Sequence, residues 1–219
     1  MIRSKILYIM FVICSTLFVS AHDADLNRGN REKGNYLNKQ DSILLSFAMN
    51  CKGGEQGTRY FYVMLSTDFN GEAVAANIQK AQWMDITDRF TFPDVEDSDA
   101  EEGIFTEIKA VDIADLITPG EPFTIVLRQT VKDQMLFGRQ SQIRIRNFKI
   151  ERSTENNREI IFDHQGAEWS LFTNGNFRPN RPNISTSQVV LRGNHGNDKE
   201  YLKAETEAWV ISKPLLLDK

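Results

Sequence analysis

The feature that most constrains this chain is Gln142-Ile-Arg-Ile-Arg-Asn-Phe-Lys-Ile150, where apolar and polar residues alternate. A period of two belongs to a strand with one buried face and one wet face. Ile143, Ile145 and Phe148 are apolar, while Arg144, Arg146 and Lys149 are polar. The alternation slips by one at Asn147, which predicts a bulge or a bend. Other short segments read the same way: Ser42–Met49, Tyr60–Ser66, Phe123–Arg128, Arg158–Phe162, Trp169–Phe172, Ser187–Leu191 and Ala208–Ser212. They are rich in branched and aromatic residues and separated by Gly, Pro and Asn turns. Trp83, Asp85 and Thr87 alternate with Met84, Ile86 and Asp88. Long amphipathic helices are absent from the pattern. Glu72–Ala81 is a short helix candidate, and Val111–Leu116 reads as a strand or a single helical turn. Such a pattern predicts an all-β sandwich or barrel with at most short helices.

The first residues set the expected compartment. Arg3 and Lys5 precede an almost unbroken apolar run, Ile6–Val19, and Val19-Ser20-Ala21 has the small-residue form that signal peptidase cleaves. The run is shorter than the ~20 apolar residues of a membrane span. Cys14 follows Ile13 and is itself followed by apolar sequence, so lipidation there is not expected. The reading is a signal peptide over residues 1–21, a polar flexible leader over 22–41, and one β-sandwich domain over 42–219. The protein is then exported to a periplasm, a cell surface or the medium, with no membrane span in the mature chain. Cleavage removes two positive charges, so the net charge of −4 becomes −6. An acidic domain is a poor partner for the phosphates of nucleic acid. Cys51 alone remains, so packing rather than a disulfide holds the fold. Cys51 itself reads as a buried small hydrophobe at a strand end.

No signature of catalysis stands out. No metalloprotease helix, nucleophile elbow or nucleotide-binding glycine loop occurs. The histidines are His22, His164 and His195, and Asp163-His164 beside Gly166 reads as a turn. A glycosidase needs two carboxylates, and no motif singles out a pair. The run Asp94-Val-Glu-Asp-Ser-Asp-Ala-Glu-Glu102 carries six acids in nine residues. It reads as a solvated loop, with calcium as the one cofactor its oxygen ligands would suit.

Aromatic side chains offer another chemistry. Sugar faces stack on exposed rings, while amides, carboxylates and arginine bond the hydroxyls. Trp209 and Trp83 read as core. Trp169 is the ring expected nearest a ligand, although burial is an equal alternative. It stands next to Glu168 and ahead of the Asn174–Phe177–Arg178 segment. Trp169, Glu168, Phe177, Arg178 and Asn174 are therefore the candidate ligand-binding residues. Residues 174–186 are expected to form a long loop of the kind that binds.

Several segments occur together in a recognisable order: Val63–Gly71, Ala81–Phe90, Val111–Leu116, Pro122–Arg128, Ile143–Ile150 and Glu207–Leu215. Over roughly residues 40–217 the chain resembles an uncharacterised domain family of exported and surface proteins of Bacteroidetes, associated with starch-utilisation-type glycan loci. The resemblance implies a galactose-binding-like jelly roll and a glycan-binding or adhesin-like role. Taken together, these readings predict a non-catalytic exported protein that captures a polysaccharide or oligosaccharide. The alternatives are an adhesive module that binds proteins, among them outer-membrane proteins, and a glycoside hydrolase or esterase.

Overall fold

A computed structural model describes residues 41–54, 60–93, 104–138, 140, 142–177, 181–194 and 199–218. All of them belong to one compact unit, Asn38–Lys219. Residues 1–40, which hold the expected signal peptide and nearly all of the expected leader, lie outside the described residues. In order, the elements are β1 (Ser42–Lys52), β2 (Phe61–Ser66), α1 (Ala75–Lys80), β3 (Met84–Asp85), β4 (Thr106–Glu107), β5 (Val111–Asp112), β6 (Pro122–Val131), α2 (Gln134–Phe137), β7 (Gln142–Ser153), β8 (Arg158–Asp163), β9 (Ser170–Gly175), β10 (Asn183–Ile184), β11 (Val189–Leu191), α3 (Lys199–Lys203), β12 (Thr206–Ile211) and β13 (Leu215–Leu216). They form two antiparallel sheets, so the fold is an all-β sandwich.

The first sheet is built on two long strands, β1 and β7. The outer edge of β1 pairs with the short β4 and β5, and that of β7 with β8 and β11, beyond which lies β10. The second sheet runs β3-β2-β6-β12-β9, with β13 also on β6. Alternation decides which side chains enter the space between the sheets. Leu45, Phe47 and Met49 of β1 face Ile143, Ile145, Phe148 and Ile150 of β7. Against them pack Phe61, Val63 and Leu65 of β2, Phe123, Ile125 and Leu127 of β6, and Ala208 and Val210 of β12.

The slip at Asn147 is a bulge. The register of β1 against β7 shifts between Ser46 and Ala48, and Asn147 sits at φ 54°. Asparagine tolerates this left-handed conformation better than most residues. The extra residue turns Phe148 and Ile150 back toward the core after Ile145. Without it Phe148, which is fully buried, would face out.

Both ambiguous segments resolve in one way. Asp85-Ile-Thr-Asp-Arg89 and Asp112-Ile-Ala-Asp-Leu116 each end a two-residue strand and continue as a 3₁₀ turn, Thr87–Arg89 and Ala114–Leu116. In each, the first aspartate accepts a backbone N–H two residues on, at 2.9 Å from Thr87 and 3.0 Å from Ala114. The isoleucine between them is buried in both. Asp-capped turns compete with a continuing strand, which is why the alternation at Trp83–Thr87 yields only β3. One turn flanks the edge of each sheet, and Arg89 joins them. It makes two 2.7 Å bonds to the Asp115 carboxylate. That pairing holds the Asp115 carboxyl below the usual carboxylate range.

Candidate functional site

The outer face of the second sheet carries the richest set of recognition groups among the described residues. Register builds it. Tyr62 of β2 lies opposite Arg128 of β6, Arg128 opposite Trp209 of β12, and Trp209 opposite Phe172 of β9. Residues directly opposite in an antiparallel pair share a face. The next row outward is Thr130, Glu207 and Asn174. The next row inward, Met64, Val126 and Ile211, is apolar.

Half of this face is roofed. The segment between β2 and β3 folds back, and Phe69, Ile78 and Trp83 pack on Met64, Val126, Trp209 and Ile211 as a second small core. Trp83 lies 5.2 Å from Phe69 and 5.5 Å from Trp209 between ring centroids. Its indole N–H donates to Ile78 O at 2.9 Å. Asp68 fastens the segment, accepting from the Ser66 hydroxyl at 2.7 Å and the Gln82 N–H at 2.9 Å. Those two bonds lower the Asp68 carboxyl pKa. Trp83 therefore forms a fixed wall beside the unroofed rows.

The unroofed half is a shelf of aromatic and polar groups. The Arg128 guanidinium lies over Trp209 at 4.6 Å and reaches the Tyr62 ring at 5.5 Å. Its Nε donates to Glu207 Oε1 at 2.7 Å, and Nη2 pairs with the same oxygen. Both side chains keep about a quarter of their surface exposed, 27% for Arg128 and 25% for Glu207. Tyr62 and Phe172 are half-buried and Asn174 is exposed. Gly175 ends β9 at φ 98°, where a Cβ would meet Glu205 O at 2.4 Å. Only glycine lets β9 close on β12 there, which sets Asn174 opposite Glu207.

The residues singled out from sequence scatter. Trp169 is half-buried and packs edge-on against Phe148 at 4.7 Å, with its indole N–H buried. His164, 6.3 Å away, has Nε2 2.8 Å from Ser185 O. Trp169 is thus a wall of the main core, and its N–H cannot reach a ligand. Glu168 is exposed, at φ 44°, and paired with Lys213. Phe177 is 6% exposed in the main core, so its ring is not available for stacking, a correction the burial of so large an apolar side chain explains. Arg178 lies outside the described residues. Asn174 alone stands on the shelf. The expected loop over 174–186 is likewise interrupted, since Gly175 closes β9 and Asn183–Ile184 forms β10.

Sequence reading missed Tyr62, Arg128, Phe172 and Glu207, whereas Trp209, expected in the core, is 7% exposed in the small outer core. One signal was available: Glu207 and Trp209 are two apart in a strand and so share a face. The acidic run 94–102 lies outside the described residues. Among the described residues, no group of three or more His, Cys, Asp or Glu is placed to hold a metal, and no helix is long and apolar enough to cross a membrane. Cys51 is half-buried near the end of β1 and is not in a disulfide.

Fold and site together define an all-β sandwich with a polar–aromatic shelf on one sheet. The chain belongs to a family described as a domain of unknown function (DUF5017), whose profile matches residues 30–168. That span includes Tyr62 and Arg128, whereas Phe172, Glu207 and Trp209 lie beyond it. No curated protein and no solved structure matches the chain.

Proposed function

We propose that this domain binds glycans without catalysis. The observation that supports the reading is the cross-strand row Tyr62–Arg128–Trp209–Phe172, flanked by Glu207 and Asn174. Tyr62 and Phe172, half-buried on either side, are the rings for stacking, and Trp209, 7% exposed beneath Arg128, is their buried support. Arg128, Glu207 and Asn174 supply donors and acceptors for hydroxyls. Sugar binding relies on this mix because each hydroxyl both donates and accepts, while the C–H face of the ring is apolar. The Arg128–Glu207 pair serves as a recognition group, with the carboxylate and the guanidinium holding each other in place on the sheet face. The setting we propose is an exported or surface protein of a glycan-utilising bacterium, with cleavage after Ala21. N-terminal sequencing of the secreted product should begin at His22.

Affinity electrophoresis through gels containing single polysaccharides tests the reading. Retardation in at least one gel is expected, lost in Arg128→Ala at unchanged far-UV circular dichroism. Migration unaffected in every gel would sink it. One observation favours a second, protein-binding reading. Met135, Leu136 and Phe137, consecutive in α2, are 49%, 77% and 47% exposed. Single exposed apolar residues are ordinary, but three in a row mark a contact surface.

A further inference from the structure

We propose that the shelf selects neutral saccharides through a vicinal diol, and rejects polyanionic ones; this rests on the glycan reading above. Glu207 uses only Oε1 toward Arg128, which in turn engages it through Nε and Nη2. Among the described residues neither Glu207 Oε2 nor Arg128 Nη1 has a partner, while both side chains remain partly exposed. One acceptor and one donor of the pair are therefore left over, on either side of the Oε1 contact. Two adjacent hydroxyls lying across the pair serve both: one donates to Glu207 Oε2, and the oxygen of the other accepts from Arg128 Nη1.

The pair is held rather than floppy. Arg128 stacks on Trp209 and reaches Tyr62, and Glu207 is fixed two residues before Trp209 on the same face. Pre-organised donors and acceptors lose little side-chain freedom on binding. Asn174, opposite Glu207 on β9, adds an amide that can donate and accept within the same row.

Charge decides the class. Arg128 is the shelf's cation, and Glu207 already neutralises it. Lys132, four residues further along β6 and past its end, lies 5.0 Å from the Phe137 ring at the α2 tip. A uronate or sulfate placed on Arg128 would sit beside the Glu207 carboxylate and meet repulsion instead of an unpaired cation. A neutral hexose or pentose meets no such cost and serves both groups.

The mature protein run through gels of soluble starch, galactomannan, polygalacturonate and dextran sulfate, at about 150 mM salt to screen long-range charge, tests this. The expected result is retardation by a neutral polymer and not by either polyanion. Glu207→Gln should weaken neutral binding at least tenfold and bring on retardation by a polyanion, because it leaves Arg128 unpaired. Asn174→Ala, an exposed edge change that leaves the ion pair intact, should weaken neutral binding by a smaller factor. Wild-type preference for polygalacturonate or dextran sulfate, or neutral binding unchanged in both variants, would overturn the diol assignment while leaving glycan binding standing. Retardation in none of the four overturns the diol assignment together with the glycan reading beneath it.

Discussion

Each sheet of this sandwich carries an arginine lying on an aromatic ring on its outer face, and the two are built differently. On the first sheet Arg146 covers Phe105 at 4.4 Å, and its Nε donates to Gln188 at 3.1 Å. Ser46, Ala48 and Asn50 around it are buried, so that face is closed. On the second sheet Arg128 covers Trp209 at 4.6 Å and is held by the Glu207 carboxylate. There the roof stops at Trp83, and the next rows are open. Both arginines thus cover a ring, and what differs is that half-buried Tyr62 and Phe172 and exposed Asn174 stay accessible around Arg128. Whether neighbouring segments cover the row makes the difference, not the arginine itself.

The sharpest break in that comparison comes from the two tryptophans that flank it. Trp209→Ala removes the buried support of Arg128 and the keystone of the small outer core, and should cost about 3–5 kcal/mol while abolishing glycan retardation. Trp169→Ala opens a cavity against Phe148 and should cost about 2–4 kcal/mol, yet leave retardation intact once folding is restored at lower temperature. Urea denaturation and gel mobility on the same samples separate the two. Equal loss of binding in both would return Trp169 to the site.

A smaller effect distinguishes the arginines. Arg128→Ala and Arg146→Ala should each destabilise by about 1–2 kcal/mol, from lost stacking and a lost hydrogen bond. Only the first should change carbohydrate binding, by tenfold or more. If Arg146→Ala weakens binding as strongly, the ligand lies across the first sheet instead.

The smallest effect is on the wall. The Asp68 carboxyl is held below its usual range by Ser66 and the Gln82 N–H, so it favours the folded state while ionised. Its contribution should be full above the ordinary aspartate pKa and fade as pH falls through the lowered folded value. The stability difference between the wild type and Asp68→Ala should therefore be constant from pH 7 to 5 and shrink toward pH 3. Asp115, paired with Arg89, should behave with the same sign. A difference that grows on acidification would show that the Asp68 bonds are not formed.

Much of the sandwich was legible in the chain. The alternation in Gln142–Ile150 gives both the strand and the bulge, because each residue's direction depends only on its neighbours' dihedrals. The all-β class followed from several such segments with Gly, Pro and Asn between them. Errors arose where local chemistry offered two answers. Asp85 and Asp112 cap 3₁₀ turns in segments that otherwise alternate, and Phe177, in a run of Asn and Gly, is pulled into the core by contacts from distant strands.

The candidate site was the least legible part. Tyr62, Arg128, Phe172, Glu207 and Asn174 sit on four strands, up to 145 residues apart in the chain. The sequence by itself determined which side chains of each strand share a face, since that is a two-residue periodicity. Only the tertiary structure decided which strands lie side by side, in what register, and where the Trp83 roof ends. Those are long-range pairings, set by the burial of whole faces against one another rather than by any residue's own preference.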